Sequence, residues 1–159
     1  MKTIVYIDGF NLYYGCLKNT PHKWLNLEQM CDRLLPKSDI VKIRYFTARV
    51  KDRIGKPGQA ERQNFYLRAL ATLPRVRVHE GHFLSHKVTM PTADSWMKQR
   101  LDYVNVMKTE EKGSDVNLAS HLLLDAAHDK FDFAAIISND SDLLTPVLMV
   151  QRNFSKKVA

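Results

Sequence analysis

Residues 3–15 read TIVYIDGFNLYYG. The apolar run from Thr3 to Ile7 reads as a strand, roughly Lys2 to Ile7, and it stops abruptly at Asp8, with Gly9 and Asn11 close behind. A carboxylate closing a buried strand is unusual, because ionised side chains are seldom buried without a partner. A second apolar run, FAAIIS from Phe133 to Ser138, is short and fully apolar, as a central parallel strand should be, and it runs into NDSD. In an open parallel sheet, sites form at the carboxyl ends of the strands. If these two strands are neighbours, Asp8 meets Asp140 and Asp142 in one crevice.

The rest of the chain alternates strand-like and helical patterns, which argues for an α/β domain with a largely parallel sheet. A short helix is predicted over Asn11–Leu17, and another over NLEQMCDRLL (Asn26–Leu35), with Asn26 as its N-cap and Pro36 as its stop. Ile40–Val50 reads as the second strand and KDRIGKPGQ as a basic loop. Residues 60–73 carry a helical apolar stripe through Phe65, Leu67, Leu70, Ala71 and Leu73. VRVHEGHFL is a third strand, bulged at Gly81. Ser85–Glu111 is compatible with a long loop or a hairpin arm. Ser114–Phe131 is a helix with Val116, Ala119, Leu122, Leu123, Ala126 and Ala127 on one face. A last helix follows NDSD, and the terminal SKKVA reads as the start of another strand. The 159 residues suffice for a single domain with its own core, taken as residues 1–159.

Composition bounds the function. Hydrophobic residues make up 45% and charged residues 26%, an ordinary globular mix. No apolar run approaches about 18 residues, so no transmembrane helix is expected, and Asp8 interrupts any signal-peptide pattern. Cys16 and Cys31 form no CxxC and read as small buried hydrophobes in a reducing cytoplasm. The net charge is +7 and unevenly placed: residues 33–112 hold 17 Lys/Arg against 8 Asp/Glu, the remainder 7 against 9. A basic middle beside an acidic site suits a polyanionic substrate whose chemistry needs bound cations.

Asp115, in EKGSD, is a further acid for that crevice, since Gly113 permits a tight entry into the helix that carries it. Four carboxylates together repel, so some protonate or a cation neutralises them. Oxygen donors without His or Cys favour Mg²⁺ or Mn²⁺ over zinc. Each acid also has a local explanation. Asp8 fits a cap or turn, Asp115 a helix-dipole acid, and Asp142 a first-turn acid with Ser141 as cap. His79, His82 and His86 lack a zinc pattern and read as surface or packing histidines. Arg44, Arg49, Lys51, Arg53 and Lys56, with Tyr45 and Phe46, fit either an RNA-contacting surface or a solvated basic loop.

YIDGFNLYY, EKGSDVNLA and IISNDSDL, in this order and spacing, resemble the motifs of NYN domains, members of the PIN-like nuclease superfamily. ARVKDRIGKPGQAERQNFYLRAL and VHEGHF resemble the bacterial branch, so the likeness covers nearly the whole chain. It implies a Rossmann-like three-layer α/β/α sandwich with a mostly parallel sheet, and Mg²⁺- or Mn²⁺-dependent cleavage of RNA. Carried over by residue, Asp8, Asp115, Asp140 and Asp142 would hold the metal. Asn11 would orient water, metal or phosphate. Lys112, Ser138, Asn139 and Ser141 would assist, and Arg49, Lys51, Arg53 and Arg62 would hold the substrate backbone. The chain stops at Ala159 as the family's next strand begins. An incomplete sheet edge is therefore expected, completed by a second copy or another partner. The competing functions are an RNA-binding or regulatory NYN domain without turnover and a small-molecule phosphohydrolase. The latter is disfavoured because DGFN lacks the second aspartate of a DxD nucleophile motif.

Overall fold

The computed structural model describes residues 1–52, 55, 57–98 and 102–159, with the backbone alone for 96–98. The strands are β1 (Lys2–Asp8), β2 (Asp39–Ala48), β3 (Val76–Pro91), β4 (Tyr103–Lys112), β5 (Phe133–Ile137) and β6 (Lys157–Val158). The helices are α1 (Gly9–Leu12), which continues as a π-helical turn over Tyr13–Leu17, then α2 (Leu27–Leu34), α3 (Gln59–Ala71), α4 (Ala93–Lys98), α5 (Ser114–Ala127) and α6 (Leu144–Phe154).

The sheet runs β4-β3-β2-β1-β5-β6, and every pairing is parallel except β3 with β4. β1 is central, with β2 on one side and β5 on the other, so its end and that of β5 are neighbours. Alternate β1 side chains point to opposite faces. Val5 and Ile7 enter a core with Leu12, Leu17, Leu27 and Leu67. Ile4 and Tyr6 enter another with Leu118, Leu122, Phe131 and Val150. Helices thus cover both faces, giving the α/β/α sandwich that the motifs imply.

β3 changes partner partway. Val76–Gly81 pairs with β2, and His82–Pro91 pairs antiparallel with β4, so the arm is a long hairpin. Gly81 marks the change. A Cβ there would sit 2.5 Å from the Lys112 carbonyl oxygen and 2.6 Å from Glu111 Oε1, so only glycine allows the strands this close. The described residues between 85 and 111, compatible in sequence with a long loop or a hairpin arm, therefore form a hairpin with α4 between its strands. β6 pairs Lys157 with Phe133 and Val158 with Ala134, and forms the two-residue edge of the sheet.

Four expectations need correction. α5 ends at Ala127, and its buried residues are Ser114, Leu118, Leu122, Asp125 and Ala126, while Val116 is 68% exposed. This helix is apolar around much of its circumference, so the stripe was ambiguous. A buried ion pair selects the face: Asp125 accepts from Arg44 Nε at 2.7 Å, Arg44 Nη2 at 2.8 Å and the Tyr6 hydroxyl at 2.8 Å. Arg44 is thereby a buried structural residue and no part of an RNA-contacting surface, and Phe46 is fully buried beside it. Finally, only Cys31 is buried, with its thiol pushed up to about 12 chiefly by burial; Cys16 is exposed. Phe65, on the α3 stripe, is likewise 49% exposed. Asn26 caps α2 as expected, its Oδ1 accepting from Gln29 N at 3.1 Å.

Candidate active site

The ends of β1 and β5 and the start of α5 meet in a pocket of about 270 Å³ whose lining includes Asp8, Asn11, Glu111, Ser114, Asp115 and Asp140. Gly9 makes the first approach possible. A Cβ there would lie 2.6 Å from Tyr45 Cζ and 2.8 Å from the Phe46 carbonyl, so any larger residue would push α1 off β2. Gly113 makes the second. Its φ of 101° lies in the left-handed region, which lets α5 start immediately after β4 and turns Asp115 inward.

Asp8 is 3% exposed and its two oxygens have separate duties. Oδ1 caps α1, accepting from Phe10 N and Asn11 N at 3.0 Å each. Oδ2 accepts from the Asn11 side-chain amide and from Ser138 Oγ at 3.0 Å. The helix-cap and site explanations of Asp8 therefore hold together. Asn11 extends the network, its Oδ1 accepting from Asn139 N at 3.2 Å. Asp140, and not Ser141, caps the 3₁₀ turn Ser141–Leu143, accepting from Asp142 N at 2.9 Å.

Asp115 carries the electrostatic signature of the pocket. Its carboxyl is pushed up to about 6, first by burial and then by the charges of Asp8, Asp140, Glu111 and Asp142. Asp142 thus acts on the pocket through its field, although it is exposed and does not line it. Ser114 lines the pocket, and its Oγ is buried without a hydrogen-bond partner. These donors are all oxygen, the kind that suits Mg²⁺ or Mn²⁺ better than zinc. Among the described residues, no three His, Cys, Asp or Glu side chains stand close enough to enclose an ion by themselves.

The other candidates are more dispersed. Ser138 and Asn139 belong to the network above, whereas Ser141 is exposed. Lys112 is exposed and pairs with Glu110 at 3.1 Å. Arg49 is engaged by Glu80 through two 2.8 Å bonds and by Asn64, and lines neither this pocket nor its neighbour. Lys51 is exposed and Arg53 lies outside the described residues. Arg62 lines a second, larger cavity next to the acids. Sequence reasoning missed Glu111, Ser114, Phe10, Tyr14 and Phe83 as pocket residues. Phe10 and Tyr14 are four apart on one helical turn, the spacing that places both on one face, and Glu111 and Ser114 flank the KG of the second motif.

A Rossmann-like sandwich with acids delivered to the carboxyl ends of its central strands defines the PIN-like class. The NYN domain profile matches residues 2–159, and the chain belongs to the NYN family, whose place in that superfamily indicates a nuclease-type function. The chain is similar to 6-hydroxy-3-succinoylpyridine 3-monooxygenase HspA of Pseudomonas putida, with 29% identity over 181 residues, covering 99% of this chain and 58% of that protein. It spans little more than half the length of that relative. Among solved structures it resembles VPA0982 of Vibrio parahaemolyticus, a protein of unknown function, with a TM-score of 0.58 and 17% identity, over 99% of this chain and 78% of that one. That likeness concerns the fold alone. Among the described residues, no helix is long and apolar enough to cross a membrane.

Proposed function

We propose that the chain is a divalent-metal-dependent ribonuclease that cleaves RNA internally at the acidic pocket. The observation that carries this reading is that Asp8, Asp115 and Asp140 reach one pocket from three different elements, at a cost visible in the raised Asp115 carboxyl. Those three acids would hold Mg²⁺ or Mn²⁺, with Asp142 adding its negative field from outside the lining; the ion would supply Lewis acidity toward a phosphoryl oxygen and a more acidic water. Asp8 is held in one rotamer by its four donors, so its Oδ2 is presented in a fixed direction. Asn11 and Ser138 set that direction and join the ends of β1 and β5.

The test is cleavage of a single-stranded oligoribonucleotide with Mn²⁺ by the wild type, Asp8→Asn and Asp140→Asn. Each variant should lose at least about a hundredfold in rate. Undiminished cleavage by either removes that residue from the site.

A second reading, an NYN domain that binds RNA without turnover, is favoured by the absence of a pre-formed ion-enclosing cluster among the described residues. Metal-independent RNA binding with no products under Mg²⁺ or Mn²⁺ would establish it. The activity in the name of the Pseudomonas putida relative is not carried over to a chain that is 29% identical and spans 58% of it.

A further inference from the structure

Beside the acidic pocket lies a cleft of about 730 Å³, within the roughly 300–1,000 Å³ range of small-ligand sites. Its walls come from α1 and the π-helical turn, from the segment after it, from the end of β2 and from the first half of α3. Phe10, Tyr14, Val50 and Gln59 line both cavities, so the two are neighbours that share a wall.

The two have opposite chemistry. Among the described residues, the small pocket is lined by four acids and no Lys or Arg, and the cleft by Lys18, Lys23 and Arg62 and no acid. The cleft is also aromatic. Tyr13 and Tyr14 meet edge-on at 5.2 Å, and Tyr14 stacks on Phe10 at 6.4 Å. Trp24 is 57% exposed yet held at 75° to the ring of Tyr66, whose hydroxyl donates to the Leu25 carbonyl at 2.9 Å. A tryptophan that packs against one ring yet is left largely in water presents further stacking surface to a ligand. The ammonium of Lys18 lies 5.0 Å from the centre of the Tyr14 ring, so a cation already sits beside the aromatic surface.

We propose that this cleft is a subsite for one unpaired nucleotide of single-stranded RNA, stacked against Trp24 and Tyr14, with its flanking phosphates on Lys18, Lys23 and Arg62. The inference rests on the nuclease reading for what happens next door, but recognition in the cleft is separable from cleavage. A flat ring carrying anionic charge is what aromatic walls with cations select. A nucleotide fits better than an isolated aromatic anion because the cleft adjoins the acidic pocket, where the next phosphate of the same strand would fall. A duplex hides the faces of its bases and cannot fill the cleft.

The experiment measures equilibrium binding of a fluorescent eight-nucleotide single strand and of its duplex, in EDTA, and then cleavage of both with Mn²⁺. The proteins are the wild type, Trp24→Ala, Trp24→Phe and Lys23→Ala. Stacking of one base on an aromatic side chain corresponds to about five- to a hundredfold in affinity. Trp24→Ala should therefore weaken single-strand binding at least about fivefold, Trp24→Phe should retain most of it, and duplex binding should not change. Lys23→Ala should reduce the slope of log affinity against log salt by about 0.7, the value for one contact to a single strand. Equal single-strand affinity in the wild type and Trp24→Ala overturns the subsite, as does a wild type that prefers the duplex. Failure of the wild type to bind RNA, with binding of nicotinate as a small aromatic carboxylate instead, overturns the nucleotide as occupant. Trp24-dependent binding without cleavage by the wild type leaves the subsite standing and removes the nuclease reading.

Discussion

Ser138 and Asp8, 130 residues apart in sequence, are joined by a hydrogen bond of 3.0 Å from Ser138 Oγ to Asp8 Oδ2. The same Ser138 oxygen accepts from Asp140 N at 3.1 Å. One hydroxyl thus fixes the carboxylate at the end of β1 and the turn that carries the next acid. Ser138→Ala removes both bonds at once. It should lower stability by about 1 kcal/mol, the usual net worth of a hydrogen bond, and lower kcat for RNA cleavage roughly tenfold with little change in KM, because positioning and not binding is lost. Urea denaturation and steady-state kinetics check the two parts. A variant altered only in KM would contradict the positioning role.

The acidic pocket should weaken the metal-free protein. A carboxyl whose folded pKa is raised, as for Asp115 at about 6, is comfortable when protonated and costs stability as pH rises from about 4 through about 6. Asp115→Asn removes that cost. At pH 7 in EDTA it should stabilise the protein by on the order of 1 kcal/mol, a figure reduced for the solvent screening of a half-buried group. Mn²⁺ should raise the wild-type melting temperature, since an ion that binds only the folded state stabilises it, and should raise that of Asp115→Asn less. Thermal melts of the two proteins with and without Mn²⁺ decide this, and a wild-type melt indifferent to Mn²⁺ would count against a metal site.

Much of this site was legible because its signals are local. Asp8 after an apolar run, Gly113 before Asp115 and NDSD after a buried strand each state an element boundary in a few residues. Parallel pairing of β1 with β5 then brings the first and last of these together, and the turn at Gly113 starts the helix that carries Asp115 beside them. What was not legible depends on contacts distant in sequence. Arg44 reads as one more cation in a basic strand, and only Asp125, 81 residues later, makes it a core residue. Val116 looks as suited to the core as Leu118, and the choice between them is made by that same ion pair. The aromatic cleft draws on four separate segments, so no single window of sequence displays it.

The Arg44–Asp125 pair should be costly to break and cheap to replace. Asp125 is 6% exposed and Arg44 9% exposed. Burial raises the Asp125 carboxyl, but its bonds from Arg44 and Tyr6 outweigh that and hold it below its usual range. Asp125→Ala strands a buried guanidinium and should destabilise by about 3–5 kcal/mol. The double replacement Arg44→Met with Asp125→Leu, made with Tyr6→Phe so that no hydroxyl is orphaned, should recover most of that loss. Denaturant midpoints of the single and combined variants form the comparison. If the combined variant is as unstable as Asp125→Ala, the pair does more than neutralise two charges.

His79 makes the fold acid-sensitive above the range in which carboxylates protonate. Its ring stacks on Phe46 at 4.9 Å and lies 4.2 Å from that of His121, and its Nε2 is 3.1 Å from Arg44 Nη1. A guanidinium can only donate, so Nε2 is the acceptor and the ring proton sits on Nδ1. Burial, then His121 and Arg44, push the His79 pKa down to about 4, against an opposing pull from Asp125, and Lys42 adds to the lowering. His121 is lowered by burial and Arg44 in the same way. The unfolded chain takes up the His79 proton near pH 6.5 while the folded protein resists until about 4, so its effect is a loss of stability as pH falls through that window, and His121 acts in the same direction. Asp115 works in the opposite sense over part of it, so the measurement belongs in the Asp115→Asn background. There, the urea midpoint should fall steadily from pH 7 to 4.5, and His79→Phe should flatten the slope. An equally steep slope without His79 would assign the acid sensitivity to other groups.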